Sequence, residues 1–429
     1  GKTTVGICGA TKETVAARNL AREIACGAAA HSDHGRDMAH TLIAAAEGEA
    51  PDYQIKDGRK LMRVARYLDI DTEGRSKEEI ALDVGKKALA EFGRQEGEIL
   101  YVKRAPQKRQ EIWQKLGITP RGIDREIVET LHRTHMGNDQ DAEHILDHAM
   151  RTALGDGWGG SMLSTDISDI LFGTPGPVAG RSNFGTLSED EVNVVVHGHE
   201  PTLSEMFVVA ASDPELIDYA KTKGAKGINL IGICCTANEI LMRQGIPVVG
   251  NFLSQELAIA TGAVDAMVVD IQCIMQGLQA VAEQYHTKLI TTSPKAHITG
   301  ATRIEFDEHD ALEIAKRIIR TAIDKGPNRK KEKVHIPDYV DHLVAGFSHE
   351  YIAYMQGGIY RESFRPFNDA VMAGRIRGAA GVVGCNNPRV TQDDPHLYIV
   401  KELIKNDVLV VTTGCNAIAC ASRACSPQR

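Results

Sequence analysis

From about residue 190 onward, short runs of β-branched residues alternate with helical patterns, and this alternation is the strongest constraint on the fold. Helical patterns such as Leu216–Thr222 and Ala311–Ile323 lie between most of the runs. Continuously apolar strands that alternate with helices are typical of parallel sheets covered by helices on both faces. The predicted strands are Val192–His197, Gly227–Ile233, Val248–Phe252, Ala266–Asp270, Lys288–Thr292, Leu343–Gly346, Gly381–Val383 and Val408–Thr412.

The first part of the chain has a different pattern. Residues 10 to about 160 show apolar residues three and four apart, which predicts helices. The stretch 173–183 is rich in Gly and Pro and predicts a loop, and the charged stretch 326–333 is typical of a linker. We therefore predict a mixed α+β and α/β protein with a helical domain at 1–185, an α/β domain at 186–330 and a second, incomplete α/β domain at 331–429.

Cysteine or histidine residues follow five of the predicted strands. In open parallel sheets, ligands bind outside the carboxyl ends of the strands, so these side chains are expected to meet at one edge. A single buried cysteine would be an ordinary core residue, but five such positions are hard to assign to packing. The residues are His197 and His199, Cys234 and Cys235, Cys273, Cys385 and Cys415.

These candidate ligands are widely separated along the chain and form no CxxC pair, which disfavours a structural zinc site. Thiolates are soft ligands that select zinc, copper(I) or iron–sulfur clusters. A histidine among cysteine ligands leaves one metal of an iron–sulfur centre electronically distinct. The residues therefore predict a buried iron–sulfur-type cluster with mixed Cys and His ligands.

An alanine-rich helical stretch at 27–40 carries a second group of titratable residues. His31 and His34 lie one turn apart, and Asp37 is three residues from both His34 and His40. A solvated polar helix face would explain the pattern, and so would a proton relay or a metal site.

Composition limits the remaining function classes. The net charge of −8 argues against nucleic acid as the main partner, and no apolar run is long enough to span a membrane. The nine cysteines are an odd number without a secretory signal, so we expect a cytoplasmic protein with free thiols. The chain begins at Gly1 and stops at Arg429 without a closing element, and we expect a fragment that lacks both ends.

Several motifs together make the chain resemble the catalytic subunit of anaerobic nickel–iron carbon monoxide dehydrogenases along essentially its whole length. The resemblance implies a helical domain followed by two Rossmann-like domains, the second truncated here. It also implies a homodimer, a Ni–4Fe–4S cluster that interconverts CO and CO2 with water, and [4Fe-4S] clusters that pass two electrons to a ferredoxin-like acceptor. The motifs are Gly6-Ile-Cys-Gly-Ala-Thr, Gly27-Ala-Ala-Ala-His-Ser-Asp-His, Val196-His-Gly-His-Glu-Pro, Gly232-Ile-Cys-Cys-Thr-Ala-Asn-Glu, Asp270-Ile-Gln-Cys273, Gly384-Cys-Asn-Asn387 and Thr413-Gly-Cys415.

The same resemblance implies roles for the candidate residues. His199 and Cys235 would hold a pendant iron, with the adjacent His197 and Cys234 as open alternatives. The other three irons would be held by Cys273, Cys385 and Cys415, and Cys8 would bind a [4Fe-4S] cluster. His31 would be the base or proton donor, and His34 and His40 would carry protons outward. The nickel-ligating cysteine and a catalytic lysine of the family have no counterpart in this sequence.

Three rival functions stay open at this point. A nucleotide-binding α/β protein is one, for which the stretch Gly6-Ile-Cys-Gly-Ala-Thr would be the signal, although it matches neither phosphate-binding glycine motif. A hybrid-cluster protein similar to hydroxylamine reductases would share the architecture, and nickel content would discriminate between the two. A non-catalytic iron–sulfur scaffold would need no proton relay. The sequence also leaves open whether an acetyl-CoA synthase subunit is a partner.

Overall fold

The computed structural model describes residues 4–358 and 360–423, so Cys425 lies outside the described residues. The chain divides into two compact units, one that ends at Gly173 and one that begins at Thr174. In the described part of the chain, no helix is both long and apolar enough to cross a membrane.

The first unit is helical throughout. A single turn of π-helix, Asp156–Ser161, joins its last two helices. The helices are α1 (Lys12–Glu47), α2 (Gly58–Tyr67), α3 (Lys77–Gly93), α4 (Gln107–Leu116), α5 (Ile123–Arg133), α6 (Ala142–Gly155) and α7 (Met162–Phe172).

Helix α1 is the central element of this unit. The Thr11 side chain caps its first turn, and Gly48 in the left-handed conformation ends it. Helices α3, α5, α6 and α7 pack around it. The packing is close because α1 buries small residues: a side chain at Gly35 would collide with Phe92 and Ser164.

The second unit contains the strands. Its strands are β1 (Val178–Ser182), β2 (Val192–Gly198), β3 (Ile228–Ile233), β4 (Val248–Gly250), β5 (Val264–Val269), β6 (Lys288–Thr291), β7 (Thr302–Arg303), β8 (Asp341–Ala345), β9 (Gly378–Val382) and β10 (Val408–Thr412). Its helices are α8 (Pro201–Ala211), α9 (Pro214–Thr222), α10 (Cys234–Gln244), α11 (Gln255–Ala260), α12 (Leu278–Ala282), α13 (Ala311–Lys325), α14 (His349–Gly357), α15 (Arg365–Met372), α16 (Asp394–Lys405) and α17 (Gly414–Arg423).

Eight strands form one sheet in the order β7-β6-β5-β2-β3-β4-β1-β8. All neighbours are parallel except β8, which runs antiparallel to β1. Every residue of β2 is buried, as expected for the centre of a sheet covered on both faces. The prediction of a mixed α/β chain with a large parallel sheet is confirmed, and the three-domain division stays a prediction.

Two local predictions need correction. The stretch 173–183 is not only a loop, since it contains β1, and the predicted strand Leu343–Gly346 pairs antiparallel with β1 rather than within a second parallel sheet. Strand β1 and the antiparallel direction of β8 are not recognisable locally, because β1 is short and the two strands pair across some 160 residues of sequence. Strands β9 and β10 form a separate parallel pair in which Val382 lies opposite Thr412.

Candidate metal centre

The register of the central strands places the predicted ligands at one edge of the sheet. His197 on β2 lies opposite Ile233 on β3 and Val269 on β5. The residues that follow these three positions leave the sheet side by side. In the same way, the pairing of β9 with β10 brings together the loops that follow them. The structure thus gathers His199, both residues of the Cys234–Cys235 pair, Cys273, Cys385 and Cys415.

His199 has the hydrogen-bond pattern of a metal ligand. Its Nδ1 donates to the carbonyl oxygen of Ile271 at 3.2 Å, and its Nε2 lies 3.8 Å from the Sγ of Cys273. A carbonyl oxygen can only accept, so Nδ1 carries the proton and the Nε2 lone pair faces the thiol. Metal-binding histidines commonly donate their other N–H in this way.

His197, the alternative ligand, is placed differently. It is fully buried, and its Nε2 contacts the side-chain oxygen of Gln255 at 3.1 Å. Burial lowers its pKa to about 4, so the ring is neutral at pH 7. The geometry therefore favours His199 over His197 as the ligand.

Four thiols form a ring, which we call the thiol ring: Cys234, Cys273, Cys385 and Cys415. The thiols of Cys234 and Cys385 each interact with those of Cys273 and Cys415. Cys235 lies beside the ring, where the charges of Cys415, Cys273 and Cys385 act on it. The choice between Cys234 and Cys235 as a ligand therefore stays open.

The tendency of the thiols to ionise differs around the ring. Hydrogen bonds from Cys273 and Cys415 lower the pKa of the Cys385 thiol to about 2. By contrast, burial raises the thiol pKa values of Cys234 and Cys235 well above their usual range. Cys234 and Cys415 are buried, Cys273 is half-buried and Cys385 is exposed. Neighbouring thiolates repel one another, so a bound metal cation would favour ionisation of all four.

The spacing of the thiols supports a cluster over a single ion. Within the described residues, the one group of three donors that lie within 4.8 Å of one another is Asp307, Glu308 and His309, on an exposed turn. No three thiols of the ring approach that closely. A single tetrahedral zinc ion holds its four sulfur ligands at about 2.3 Å from itself, so the thiols as placed are more widely spaced than in such a site. The donor set and its width fit an iron–sulfur-type cluster.

The backbone carrying the ligands adopts left-handed conformations. Cys234 and Cys273 have φ of +65° and +58°, which residues with side chains rarely adopt. Gly198, with φ of +137°, precedes His199, and a Cβ there would collide with the carboxylate of Asp270. Strained backbone of this kind persists where surrounding contacts hold it, and it concentrates at functional sites.

Asp270, which we did not single out as a site residue, holds the His199 loop. Its buried carboxylate accepts hydrogen bonds from the backbone N–H of His199 at 2.7 Å, from that of Glu200 at 3.1 Å and from the Thr236 hydroxyl at 2.7 Å. Burial raises its pKa to about 7, against the lowering effect of these donors. The same carboxylate thus ties the end of β2 to the start of α10, beside Cys235.

A second buried group positions the Cys385 loop. Asp393 accepts from the side-chain amides of Asn251 at 2.9 Å and Asn386 at 2.8 Å. Its own backbone N–H donates to Asn386 at 3.0 Å. Asn386 follows Cys385 directly, so this group links the loop after β9 to the loop after β4. The sequence signal for this group is the Asn386–Asn387 pair that follows Cys385.

The predicted relay histidines lie on α1 in the first unit. Nδ1 of His31 donates to Asp156 at 2.8 Å, and the Ser161 hydroxyl, 3.0 Å from the same nitrogen, also donates to Asp156. Both partners belong to the π-helical turn, a structure that often marks functional sites. Asp156 was not predicted, because 125 residues separate it from His31.

The other predicted residues of this unit are placed as follows. His34 is half-buried and His40 exposed, each a further step along α1. Two residues three positions apart on a helix are separated by about 4.5 Å along the axis and by about 300° around it. The positions 31, 34, 37 and 40 therefore follow a path that winds around α1, with His40 opposite His31. Cys8 is exposed in the turn that precedes α1, where the Gly9 N–H donates to Gly6.

Comparisons with known proteins agree with this architecture. Residues 2–427 match a family described as the Prismane/CO dehydrogenase family. Carbon monoxide dehydrogenase 1 of Methanosarcina mazei is 57% identical over 416 residues, which cover 97% of this chain and 66% of that protein. The carbon monoxide dehydrogenase/acetyl-CoA synthase subunit beta of Moorella thermoacetica is 47% identical, with coverage of 96% and 62%.

A solved structure shares the fold closely. The as-isolated, Ni-free crystal structure of carbon monoxide dehydrogenase from Thermococcus sp. AM4 matches with a TM-score of 0.95 at 50% identity, over 98% of this chain and 66% of that one. The chain thus spans slightly less than two thirds of the length of these relatives. The chain belongs to the Prismane/CO dehydrogenase family.

Proposed function

We propose that this protein is a carbon monoxide dehydrogenase that catalyses CO + H2O ⇌ CO2 + 2 H⁺ + 2 e⁻. The observation that carries the proposal is the meeting of His199 with the thiol ring at the carboxyl edge of the sheet. Relatives at 57% and 47% identity bear the carbon monoxide dehydrogenase name, which supports it.

In this proposal His199, Cys235, Cys273, Cys385 and Cys415 would hold a Ni–4Fe–4S cluster. Such a cluster, when bound, supplies a site for CO, a Lewis acid that makes water nucleophilic, and an acceptor for two electrons. The protein's own contribution is to fix the ligands. His199 is oriented by its Nδ1–H bond to Ile271 and by the Asp270 clamp on its backbone. In the first unit, Cys8 would bind a [4Fe-4S] cluster.

The protons of the reaction need acceptors of suitable geometry. Because Asp156 accepts the Nδ1 proton of His31, the Nε2 atom of His31 is the one that takes up and releases a proton. The hydrogen bond to the Asp156 carboxylate also fixes the orientation of the ring. His34 and His40, with Asp37 between them, would continue the path along α1 to the exposed surface.

The partners belong to the same proposal. CO, CO2 and water are the substrates, a ferredoxin-like protein takes the electrons, and the enzyme is a homodimer in the cytoplasm. An acetyl-CoA synthase subunit stays an open question, since one relative is named as part of such a complex.

The test is metal analysis combined with activity on the natural-length protein, purified anaerobically after growth with nickel. Nickel together with iron, and CO-dependent reduction of a viologen dye, are the expected results. Iron without nickel and no reduction by CO would overturn the proposal. Hydroxylamine reduction by such a sample would then identify the hybrid-cluster function.

A further inference from the structure

The basic stretch at 326–333 is not a free linker. It forms two short 3₁₀ turns, Gly326–Asn328 and Lys331–Lys333, with Arg329 between them. Arg329 reaches the fully buried carboxylate of Asp265 through its Nε at 3.3 Å and also through its Nη2. Asp265 also contacts the Nε2 of His286 at 2.8 Å. A buried carboxylate needs such partners, which explains why the stretch is held in place.

The guanidinium of Arg329 is fixed from both sides. It donates to the carbonyl oxygens of Glu189 at 2.8 Å and Glu191 at 2.7 Å, next to the start of β2. Since Asp265 lies at the start of β5, these contacts hold the basic stretch against the amino-terminal edge of the sheet. This edge is opposite to the one that carries the thiol ring.

Next to the anchored stretch lies a cavity of about 470 Å³. Four lysines line it: Lys288, Lys325, Lys330 and Lys333. Within the described residues, none of the four forms an ion pair with a carboxylate, and the Nζ of Lys333 donates to the carbonyl oxygen of Gln284 at 3.0 Å. Glu283 is the acidic residue that lines the cavity, so positive charge is concentrated there in a chain whose net charge is −8.

One polar atom of the wall lacks a partner. The Oε1 atom of Gln279 is buried and has no hydrogen-bond partner in the described part of the chain, while its Nε2 donates to Glu283 at 3.0 Å. A buried carbonyl oxygen without a donor costs free energy, and a bound hydroxyl or amino group would satisfy it. Gln279 lines the same cavity as the lysines.

We propose that this cavity binds a phosphorylated small molecule that also carries a hydroxyl or amino group, as nucleotides do. Lysine ammonium groups bind phosphates as point charges, and four of them surround the space. The volume lies within the range of about 300–1,000 Å³ that is typical of small-molecule sites. The proposal goes beyond the proposed dehydrogenase function and concerns the opposite edge of the sheet.

The test is calorimetric titration of the natural-length protein with ADP and, separately, with pyrophosphate at low salt. Both probes are expected to bind, and more weakly as the salt concentration rises, because screening reduces the attraction of exposed charges. The variant K288E/K330E is expected to weaken the binding of both at least about tenfold. The control K87E/K401E makes the same charge change at two exposed lysines outside the cavity and is expected to bind as the parent does.

Further variants separate the two ends of the site and guard against misfolding. Gln279→Ala is expected to weaken ADP binding while leaving pyrophosphate unchanged. If K288E/K330E melts at a lower temperature than the control, K288Q/K330Q takes its place. Absence of binding by both probes at millimolar concentration overturns the proposal, and so does equal weakening by the cavity and control variants.

Discussion

The clamp formed by Asp270 yields a prediction whose size follows from its contacts. In Asp270→Asn, the single remaining oxygen can accept from His199, but the new NH2 group faces the N–H of Glu200 and the hydroxyl of Thr236. The hydroxyl can rotate and accept, whereas the Glu200 N–H is left without an acceptor. Losing a charge-assisted bond and leaving one buried donor unsatisfied costs about 2–4 kcal/mol of the free energy of unfolding.

The measurement is urea unfolding, followed by circular dichroism, of anaerobic protein at pH 8. At that pH the carboxyl group, whose pKa is about 7, is ionised and can only accept hydrogen bonds. Because burial raises this pKa, the buried charge itself costs free energy at pH 8, so the measured loss is net of that cost. Iron content is measured in parallel, and we expect it to fall because the His199 loop loses its support. The control is Asp338→Asn at an exposed position, which should change stability by less than about 0.5 kcal/mol. If D270N matches this control in stability and retains its iron, the clamp does not hold the ligand loop.

Three further predictions concern single side chains. Asp156→Ala should lower CO-dependent viologen reduction by about 10- to 100-fold with the metal content unchanged, because the His31 ring loses the acceptor that fixes its Nδ1 proton and its orientation. Unchanged rates would refute the role of Asp156 in positioning His31. The pKa of His197 is about 4 in the folded state and about 6.5 in the unfolded state, so the neutral ring contributes its full stability above pH 6.5 and loses it as pH falls towards 4. His197→Gln should therefore remove about 3 kcal/mol of the loss in unfolding free energy that the parent shows between pH 6.5 and pH 4. Plots of unfolding free energy against pH that run parallel for variant and parent would contradict this prediction. Arg329→Met should cost about 3–5 kcal/mol in urea unfolding, because it removes the cation that pairs with the buried Asp265 carboxylate and leaves hydrogen bonds from Asn193 and His286, and a cost below about 1 kcal/mol would show that the anchor is unimportant.

The family and the placement of ligands at strand ends were accessible from the sequence for a local reason. Each ligand directly follows a β-branched run, so a strand prediction also predicts where the side chain leaves the sheet. The helix that carries His31 is similarly marked by its alanines. The membership of the chain in the Prismane/CO dehydrogenase family is confirmed. The individual site residues stay predictions, which the geometry of His199 and the thiol ring supports.

The sequence did not distinguish His197 from His199, because side chains two positions apart on a strand point to the same face of the sheet. The distinction arises where β2 ends: Gly198 turns the backbone, and Asp270 on the neighbouring strand captures the next N–H groups. A pattern along one strand carries no information about the acceptor on another. The antiparallel pairing of β8 escaped prediction for the same reason, because its partner β1 precedes it by some 160 residues.

The sequence by itself determined the types of element, their order and the chemical character of the ligands, because hydrophobic periodicity and residue type act within a few positions. Only the tertiary structure decided which groups support them: Asp270 under the His199 loop, Asp156 beside His31, and Arg329 on Asp265. Each of these contacts joins residues that are tens to more than a hundred positions apart. Such pairs leave no periodic trace in the chain, and they exist because a buried carboxylate must find donors wherever the fold brings them.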